Sequence, residues 1–287
     1  MSRSYRFRVV NVFAQSKLEG NPLAVIEDGR GLSDAEMQQL ALQFNLSETT
    51  FILPSDKSDA RVRIFTPTFE MPFAGHPTLG TAHIVRALAL SGDALTLEMK
   101  AGLIPVSAGS DAATRDVWTL TAKTPSRRPY EFTHAEVATA LGLAESDIAG
   151  APLWMNAGVE QLIVPLASVD AVERATPNRE LMLRYCRNFM EAQAYVFARR
   201  DAQNIVSRYF FPQNGAVIED PGTGSACANL GGYLLTTNVS LPLRVDVHQG
   251  AATGRPCLLH LSIDADRSVR VGGRVVELMT GEFELDS

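Results

Sequence analysis

Phe65-Thr-Pro-Thr-Phe-Glu-Met-Pro-Phe-Ala-Gly-His-Pro-Thr-Leu-Gly-Thr-Ala82 has a weaker copy later in the chain, Phe210-Phe-Pro-Gln-Asn-Gly-Ala-Val-Ile-Glu-Asp-Pro-Gly-Thr-Gly-Ser-Ala226. Each copy opens on Arg-x-Phe-x-Pro, at Arg63, Phe65 and Pro67 and at Arg208, Phe210 and Pro212. Each closes on Pro-x-x-Gly-Thr/Ser-Ala, at Pro77 to Ala82 and Pro221 to Ala226. Two matching anchors at nearly equal intervals point to an internal duplication and so to two pseudo-symmetric domains. In that alignment His76 and Asp220, the residues before the second Pro, take the same place in each half, and chemistry is expected there.

Both closing segments read as helix starts, with Pro77 and Pro221 at the first helical position, where the missing N–H is not needed. Small and apolar residues follow almost without interruption, the pattern of a buried helix. A buried helix start leaves N–H groups that, with the helix dipole, favour an anion. Gly75, Pro77 and Thr78 in one copy and Gly222, Thr223, Gly224 and Ser225 in the other are therefore candidate contacts for a small carboxylate.

The chain has 287 residues, enough for two domains of ordinary size, and 46% apolar with 20% charged residues is a globular composition. A net charge of -6 disfavours nucleic acid or an anionic membrane as the main partner. No stretch reaches the roughly 18 apolar residues of a membrane span, and a cytoplasmic protein is expected. Cys186, Cys227 and Cys257 have no metal or disulfide spacing, so no metal is expected. His83, His134, His248 and His260 are scattered and read as structural or surface groups.

Local signals divide the chain as follows. Arg6 to Val12 alternates as a strand, Gly20-Asn-Pro22 is a turn, and Leu23 to Ile26 is a strand. Ser33 with Glu36 is a capping box opening a helix that ends near Asn45. Leu46 to Leu53 and Ala60 to Thr66 read as strands, and the helix of the first copy runs to about Leu90 with Gly92 as its stop. Lys123-Thr-Pro-Ser-Arg-Arg-Pro129 reads as a linker, giving domains 1–123 and 124–287, the last strand being free to return to the first domain. In the second half Thr133 and Glu136 open a helix, and strands feed the second copy and follow its helix. Ser268 to Gly272 and Val275 to Met279 read as two separate strands. Glu48, a lone carboxyl in the Leu46 to Leu53 strand, is open to two readings: an exposed or locally capping residue, or a half-buried acid whose pKa is raised by desolvation near Phe51 and Phe73.

The chain resembles the PhzF family of phenazine biosynthesis-like proteins, which share the diaminopimelate epimerase fold. The resemblance rests on Gly20-Asn-Pro-Leu-Ala-Val25, Asn45-Leu-Ser-Glu-Thr-Thr-Phe51, Phe73-Ala-Gly-His-Pro-Thr-Leu-Gly-Thr81, Glu219-Asp-Pro-Gly-Thr-Gly-Ser-Ala226, Gln249-Gly250 with Gly254-Arg-Pro256, and Val271-Gly-Gly273, in family order over essentially the whole chain. It implies an α+β fold of two pseudo-symmetric domains, each a β-barrel-like sheet around a central helix, with the active site in a cleft between them. It further implies Glu48 as the catalytic acid/base, His76 and Asp220 as the other polar active-site residues, and a homodimer. Cys227 lies inside its helix and Ala74-Gly75-His76 opens the other, so a two-cysteine racemase is disfavoured.

The expected activity is a cofactor-independent isomerase that moves a proton on a small carboxylate. The alternative is a non-catalytic ligand-binding or interaction protein on the same fold. Gly222-Thr-Gly-Ser225 lacks the Lys of a P-loop and the third Gly of a dinucleotide fingerprint, so no nucleotide is expected.

Overall fold

The computed structural model describes residues 2–286. It divides into two compact units, one formed by Met1–Leu120 with Gly272–Ser287, the other by Thr121–Val271. The first unit carries β1 (Arg3–Val12), β2 (Asn21–Ile26), α1 (Asp34–Phe44), β3 (Glu48–Leu53), β4 (Ala60–Phe65), β5 (Glu70–Met71), α2 (Gly75–Ala87), β6 (Ala94–Met99), β7 (Gly102–Ala108) and most of β8 (Val117–Thr121). The second carries β9 (Ser126–Pro129), α3 (His134–Ala140), β10 (Leu153–Asn156), β11 (Glu160–Pro165), α4 (Val169–Arg174), α5 (Arg179–Tyr185), β12 (Ala194–Arg199), β13 (Asn204–Gln213), β14 (Ala216–Asp220), α6 (Gly224–Leu234), β15 (Leu243–Gln249) and β16 (Cys257–Ile263). The last strand, β17 (Val269–Leu285), begins in the second unit and continues as part of the first.

In the first unit the pairings run β17, β1, β2, β3, β4, β6, β7, β8 and back to β17, a closed barrel of eight strands. Val275 N–H donates to the Asp116 carbonyl at 2.8 Å where the barrel closes. Closure gives each of these eight strands a partner on both sides. The β2–β3 and β4–β6 pairs are parallel, and α2 packs against β1, β2, β3, β4 and β6. Residues His76 to Val85 of α2 are all buried, as a helix apolar on nearly every side requires. Gly80 sets the approach, since a Cβ there would lie 2.7 Å from Leu23 Cδ2. On the outer face α1, started by the Ser33 and Glu36 capping box and ended by Asn45 in the left-handed region, covers Tyr5, Ile26, Phe51 and Phe65.

The second unit repeats the scheme around α6. Its strands pair in the order β9, β10, β11, β12, β13, β15, β16, with β11–β12 and β13–β15 parallel, matching the two parallel steps of the first unit. Helix α6 touches β10 and β11 as well as β16, so the sheet wraps around it. Helices α3, α4 and α5 bury Val137, Trp154, Val164, Met182 and Phe210 on the outer side. The architecture is the expected α+β pair of barrel-like sheets, each around one central helix.

The duplication is real, but its register differs from the one read from sequence. Phe65 pairs with Glu70 across the β4–β5 hairpin, and Phe210 pairs with Glu219 across β13–β14. Arg63 grips Glu70 with two bonds of 2.8 and 3.0 Å, and Arg208 grips Glu219 with two of 3.1 and 2.7 Å. Each guanidinium also lies over the following aromatic ring, at 5.0 Å for Phe65 and 4.7 Å for Phe210. The repeating unit is therefore Glu-x-Pro-x-x-Gly, with Pro72 matching Pro221 and Gly75 matching Gly224. His76 corresponds to Ser225, and Asp220 corresponds to Met71.

Helix boundaries move with it. Pro77 is the third residue of α2 and Pro221 precedes the Thr223 cap of α6, so neither is a first helical residue. Helix α2 stops at Leu88 and Ala89, not at Gly92: Ala89 has φ +56 and Leu90 N–H returns to the Val85 carbonyl. An alanine in that region costs about 1–2 kcal/mol, so Ala89→Gly should raise stability by roughly 1 kcal/mol, read as a higher urea midpoint. Two further readings change. Ser126–Pro129 is a strand paired with β10, and β17 runs unbroken through Gly272 and Gly273. A Cβ on Gly272 would meet Thr119 Oγ1 at 2.4 Å, so that glycine serves close strand packing and makes no turn.

Candidate active site

Glu48 is the first residue of β3, opposite Leu23 of the parallel strand β2. Successive strand residues alternate faces, so Glu48 and Thr50 share one. Thr50 is tied to α2 by a 2.8 Å contact between its hydroxyl and that of Thr81, which marks this face as the α2 side. Phe51 points the other way, into the core beneath α1 with Phe65. The expected packing of Phe51 beside Glu48 is therefore incorrect, because an odd spacing along a strand puts two residues on opposite faces.

His76 is the second residue of α2, and its Nε2 lies 3.3 Å from Glu48 Oε2. The histidine side chain is 7% exposed and the glutamate 15%, so both groups are largely withdrawn from water. Asn21, fully buried at the start of β2, places Nδ2 3.5 Å from His76 Nδ1. Gly20, with φ +83, turns the chain tightly into Asn21; a Cβ there would meet the Val12 carbonyl oxygen at 2.6 Å. Burial pushes the His76 pKa down to about 3, against a hydrogen bond to the Pro22 backbone that favours the charged ring. At neutral pH His76 is an uncharged ring whose Nε2 faces the Glu48 carboxyl.

The depressed value carries a stability consequence. The unfolded chain binds a proton below pH 6.5 and the folded one only near 3, so the contribution is complete above pH 6.5 and is lost as pH falls between the two. The slope should approach roughly 1.4 kcal/mol per pH unit. Urea midpoints measured across that range should fall more steeply for the wild type than for His76→Asn; equal slopes would contradict the burial of a neutral ring.

The other candidates of the first copy have structural duties. Pro77 is buried and has no N–H to offer; Thr78 is fully buried and its hydroxyl donates to the Ala74 carbonyl at 2.7 Å. Gly75 opens the helix and keeps its N–H at the helix start.

In the second unit Asp220 ends β14, and its carboxylate accepts the Thr223 hydroxyl. Gln249 of β15 locks this turn: Nε2 donates to the Asp220 carbonyl and to Thr223 Oγ1, both at 2.9 Å, while Oε1 accepts the Thr223 N–H at 3.3 Å. Gly222 lies within the turn, ahead of the helix, so only Gly224 and Ser225 of the predicted set have N–H groups in the first turn of α6. Asn21 and Gln249 were not singled out from sequence, although both stand inside the quoted family stretches. Burial pushes the Cys227 thiol up, keeping it protonated within the α6 core.

A cavity of about 480 Å³ lies at the far end of α2 and contains none of these residues. Within its lining Arg86 pairs with Asp116 and His83 with Glu277. Among the described residues no cluster of His, Cys, Asp and Glu is arranged to hold a metal ion, and no helix is long and apolar enough to cross a membrane.

The profile of the phenazine biosynthesis-like protein family matches residues 10–281. An uncharacterized isomerase of Pasteurella multocida is 37% identical, with 100% of this chain and 96% of the relative covered. The trans-2,3-dihydro-3-hydroxyanthranilate isomerase of Pseudomonas aeruginosa is 34% identical over 89% of each chain. The crystal structure of a PhzF-family protein from Bacillus anthracis superposes with a TM-score of 0.86 at 26% identity, covering 99% of this chain and 100% of the other.

Proposed function

The chain belongs to the PhzF family of phenazine biosynthesis-like proteins and is an isomerase acting on a small molecule; we propose that Glu48 is its general acid/base, moving a proton between two carbons of a small unsaturated carboxylate. The observation that carries this reading is the Glu48 carboxyl, on a side chain 15% exposed, held 3.3 Å from a buried imidazole. Glu48 takes the proton as one C–H bond breaks, the electron pair is delocalised toward the substrate's unsaturated system, and the same carboxyl returns the proton to a different carbon. Because one carboxyl performs both transfers, the proton stays on one face and no epimerisation follows.

His76 cannot act as a cationic acid near neutrality, so its part is to hold and tune Glu48. N–H groups at the helix starts, of Gly75 in α2 and of Gly224 and Ser225 in α6, are suited to a carboxylate and to charge developing in the transition state. Asp220, fixed by Thr223 and Gln249, is kept as a candidate polar group of the second unit.

The test is solvent exchange. The protein is incubated with trans-2,3-dihydro-3-hydroxyanthranilate in heavy water, the compound on which the Pseudomonas relative is named to act. Deuterium in the product is expected with wild type and not with Glu48→Gln. Turnover with no solvent deuterium at early times and no internal return would count against the proposal.

A further inference from the structure

The cavity at the far end of α2 lies within the first unit, between α2, the loop ahead of β8 and the middle of β17. Arg86, on its wall, follows His76 on the same helix by roughly 15 Å of helix rise, so the cavity is a separate place from the Glu48 and His76 site. Three arginines, Arg86, Arg115 and Arg274, face it together with two carboxylates, Asp116 and Glu277, and His83. The histidine adds no charge. Trp118 Nε1–H, which can only donate, lies 3.3 Å from His83 Nδ1, and Arg86 Nη2 approaches the same nitrogen at 3.5 Å. The ring proton is therefore on Nε2, 3.3 Å from Glu277 Oε1. Burial lowers the His83 pKa and favours this neutral form. The lining thus carries one positive charge in excess, three arginines against two acids.

Only one of the three arginines is fully engaged by the fold. Arg86 Nη2 donates to Asp116 Oδ1 at 2.6 Å, and its Nη1 donates to Asp93 at 3.1 Å and to the Arg115 carbonyl. Arg274 Nη2 donates to the Ala113 carbonyl at 2.7 Å, but among the described residues Arg274 forms no ion pair. The Arg115 guanidinium comes only within 4.0 Å of a carboxylate, that of Asp116, which Arg86 already holds. Its backbone is nevertheless fixed: Asp111 Oδ1 accepts the N–H groups of Ala113 and Thr114, and the Asp111 carbonyl accepts that of Arg115 at 2.8 Å. Neither guanidinium is needed to cap α2, because the N–H groups of Leu88, Leu90 and Ala89 take the Ile84, Val85 and Arg86 carbonyls. Two forked donors therefore meet at one rigid turn beside the cavity with most of their N–H groups uncommitted.

We propose that this cavity binds a small organic acid, its carboxylate held by Arg115 and Arg274 and its apolar body against Val275 and Val276. A guanidinium fork matches a carboxylate with two parallel bonds. One negative charge balances the excess of one, and about 480 Å³ is the size of a metabolite cavity, well beyond that of a bare ion. The site uses neither Glu48 nor His76 and does not depend on the isomerase reading.

Benzoate is the probe, and the indole N–H resonances of the two tryptophans are the readout. Trp118 backs the cavity: it is bonded to His83, and the Arg86 guanidinium lies 4.9 Å from its ring centroid. Trp154, in the second unit and bonded to Glu131, is the control. Benzoate should move the Trp118 resonance saturably and leave Trp154 in place, and benzyl alcohol should move neither. Arg115→Ala and Arg274→Ala should each raise the benzoate Kd about tenfold, as the loss of a hydrogen bond to a charged group implies. Arg115 is exposed and its side chain holds no other residue by a hydrogen bond, so its replacement tests the site without loosening the turn. Arg115→Lys should recover part of the affinity, because an ammonium keeps the charge and loses the fork. A Trp118 shift that does not saturate, or an unchanged Kd in Arg115→Ala, overturns the proposal. Inorganic phosphate binding more tightly than benzoate overturns the assignment to a carboxylate.

Discussion

Glu48→Gln is expected to lower turnover by roughly 10²- to 10⁴-fold, the span of a lost general acid/base, while ligand affinity stays nearly level. The amide keeps the size and position of the carboxyl at the head of β3 and can still meet His76, so binding geometry is preserved. What it cannot do is accept a proton from carbon. Glu48→Asp retains the acid but withdraws it about 1 Å, a misplacement that can cost on the order of a hundredfold. His76→Asn should be milder than Glu48→Gln, since a neutral imidazole tunes its neighbour and transfers no net charge. Steady-state kinetics on the three variants checks the order. If His76→Asn abolishes turnover and Glu48→Gln retains most of it, the two roles are exchanged.

Gly250→Ala should be the most damaging small substitution in the second unit, at about 2–5 kcal/mol from left-handed strain plus overpacking. Gly250 has φ +80, and a Cβ there would lie 2.4 Å from both the Arg255 and the Pro221 carbonyl oxygens. Both obstacles are backbone, so relief requires moving the turn that carries Asp220. Gln249, the neighbouring residue, holds that same turn through Asp220 and Thr223. Activity should therefore fall further than the loss of folded protein explains. Gly254 is the internal control: it has φ +73 but open space around its Cβ position, so Gly254→Ala should cost only about 1 kcal/mol from strain. Urea unfolding of the two variants gives the comparison, and equal losses would show that crowding at Gly250 is relieved cheaply.

Signals carried by adjacent residues were legible before the fold was known. The capping boxes at Ser33 with Glu36 and Thr133 with Glu136 start α1 and α3 as read, because a cap is made within four residues. Glu48 and His76 were legible as a pair only through the family resemblance; the parallel β2–β3 register and the first turn of α2 bring them together, and neither is visible in spacing. The repeat was detected but aligned five residues off. Its helix-side match, Pro-x-x-Gly-Thr/Ser-Ala, is a chance likeness, whereas the Arg-to-Glu grips are separated by hairpin loops of different length: Arg63 to Glu70 and Arg208 to Glu219. The shared Glu-x-Pro-x-x-Gly string was the available signal. The Arg115 and Arg274 cavity was hidden for another reason: the loop ahead of β8 and the strand β17 meet only where the barrel closes.

The route of β17 bears on how the chain reaches its native state. Residues 3 and 285 pair directly, so the barrel around α2 is shut by the strand made last, whereas residues 121–271 form a unit whose sequence is already complete by then. A pairing of such separation is entropically slow to form. During vectorial synthesis the inserted unit can finish first, and β1 waits with its backbone groups exposed along the side later taken by β17. A nascent chain halted before residue 272 thus presents one finished globule attached to an open sheet, the species most in need of a chaperone.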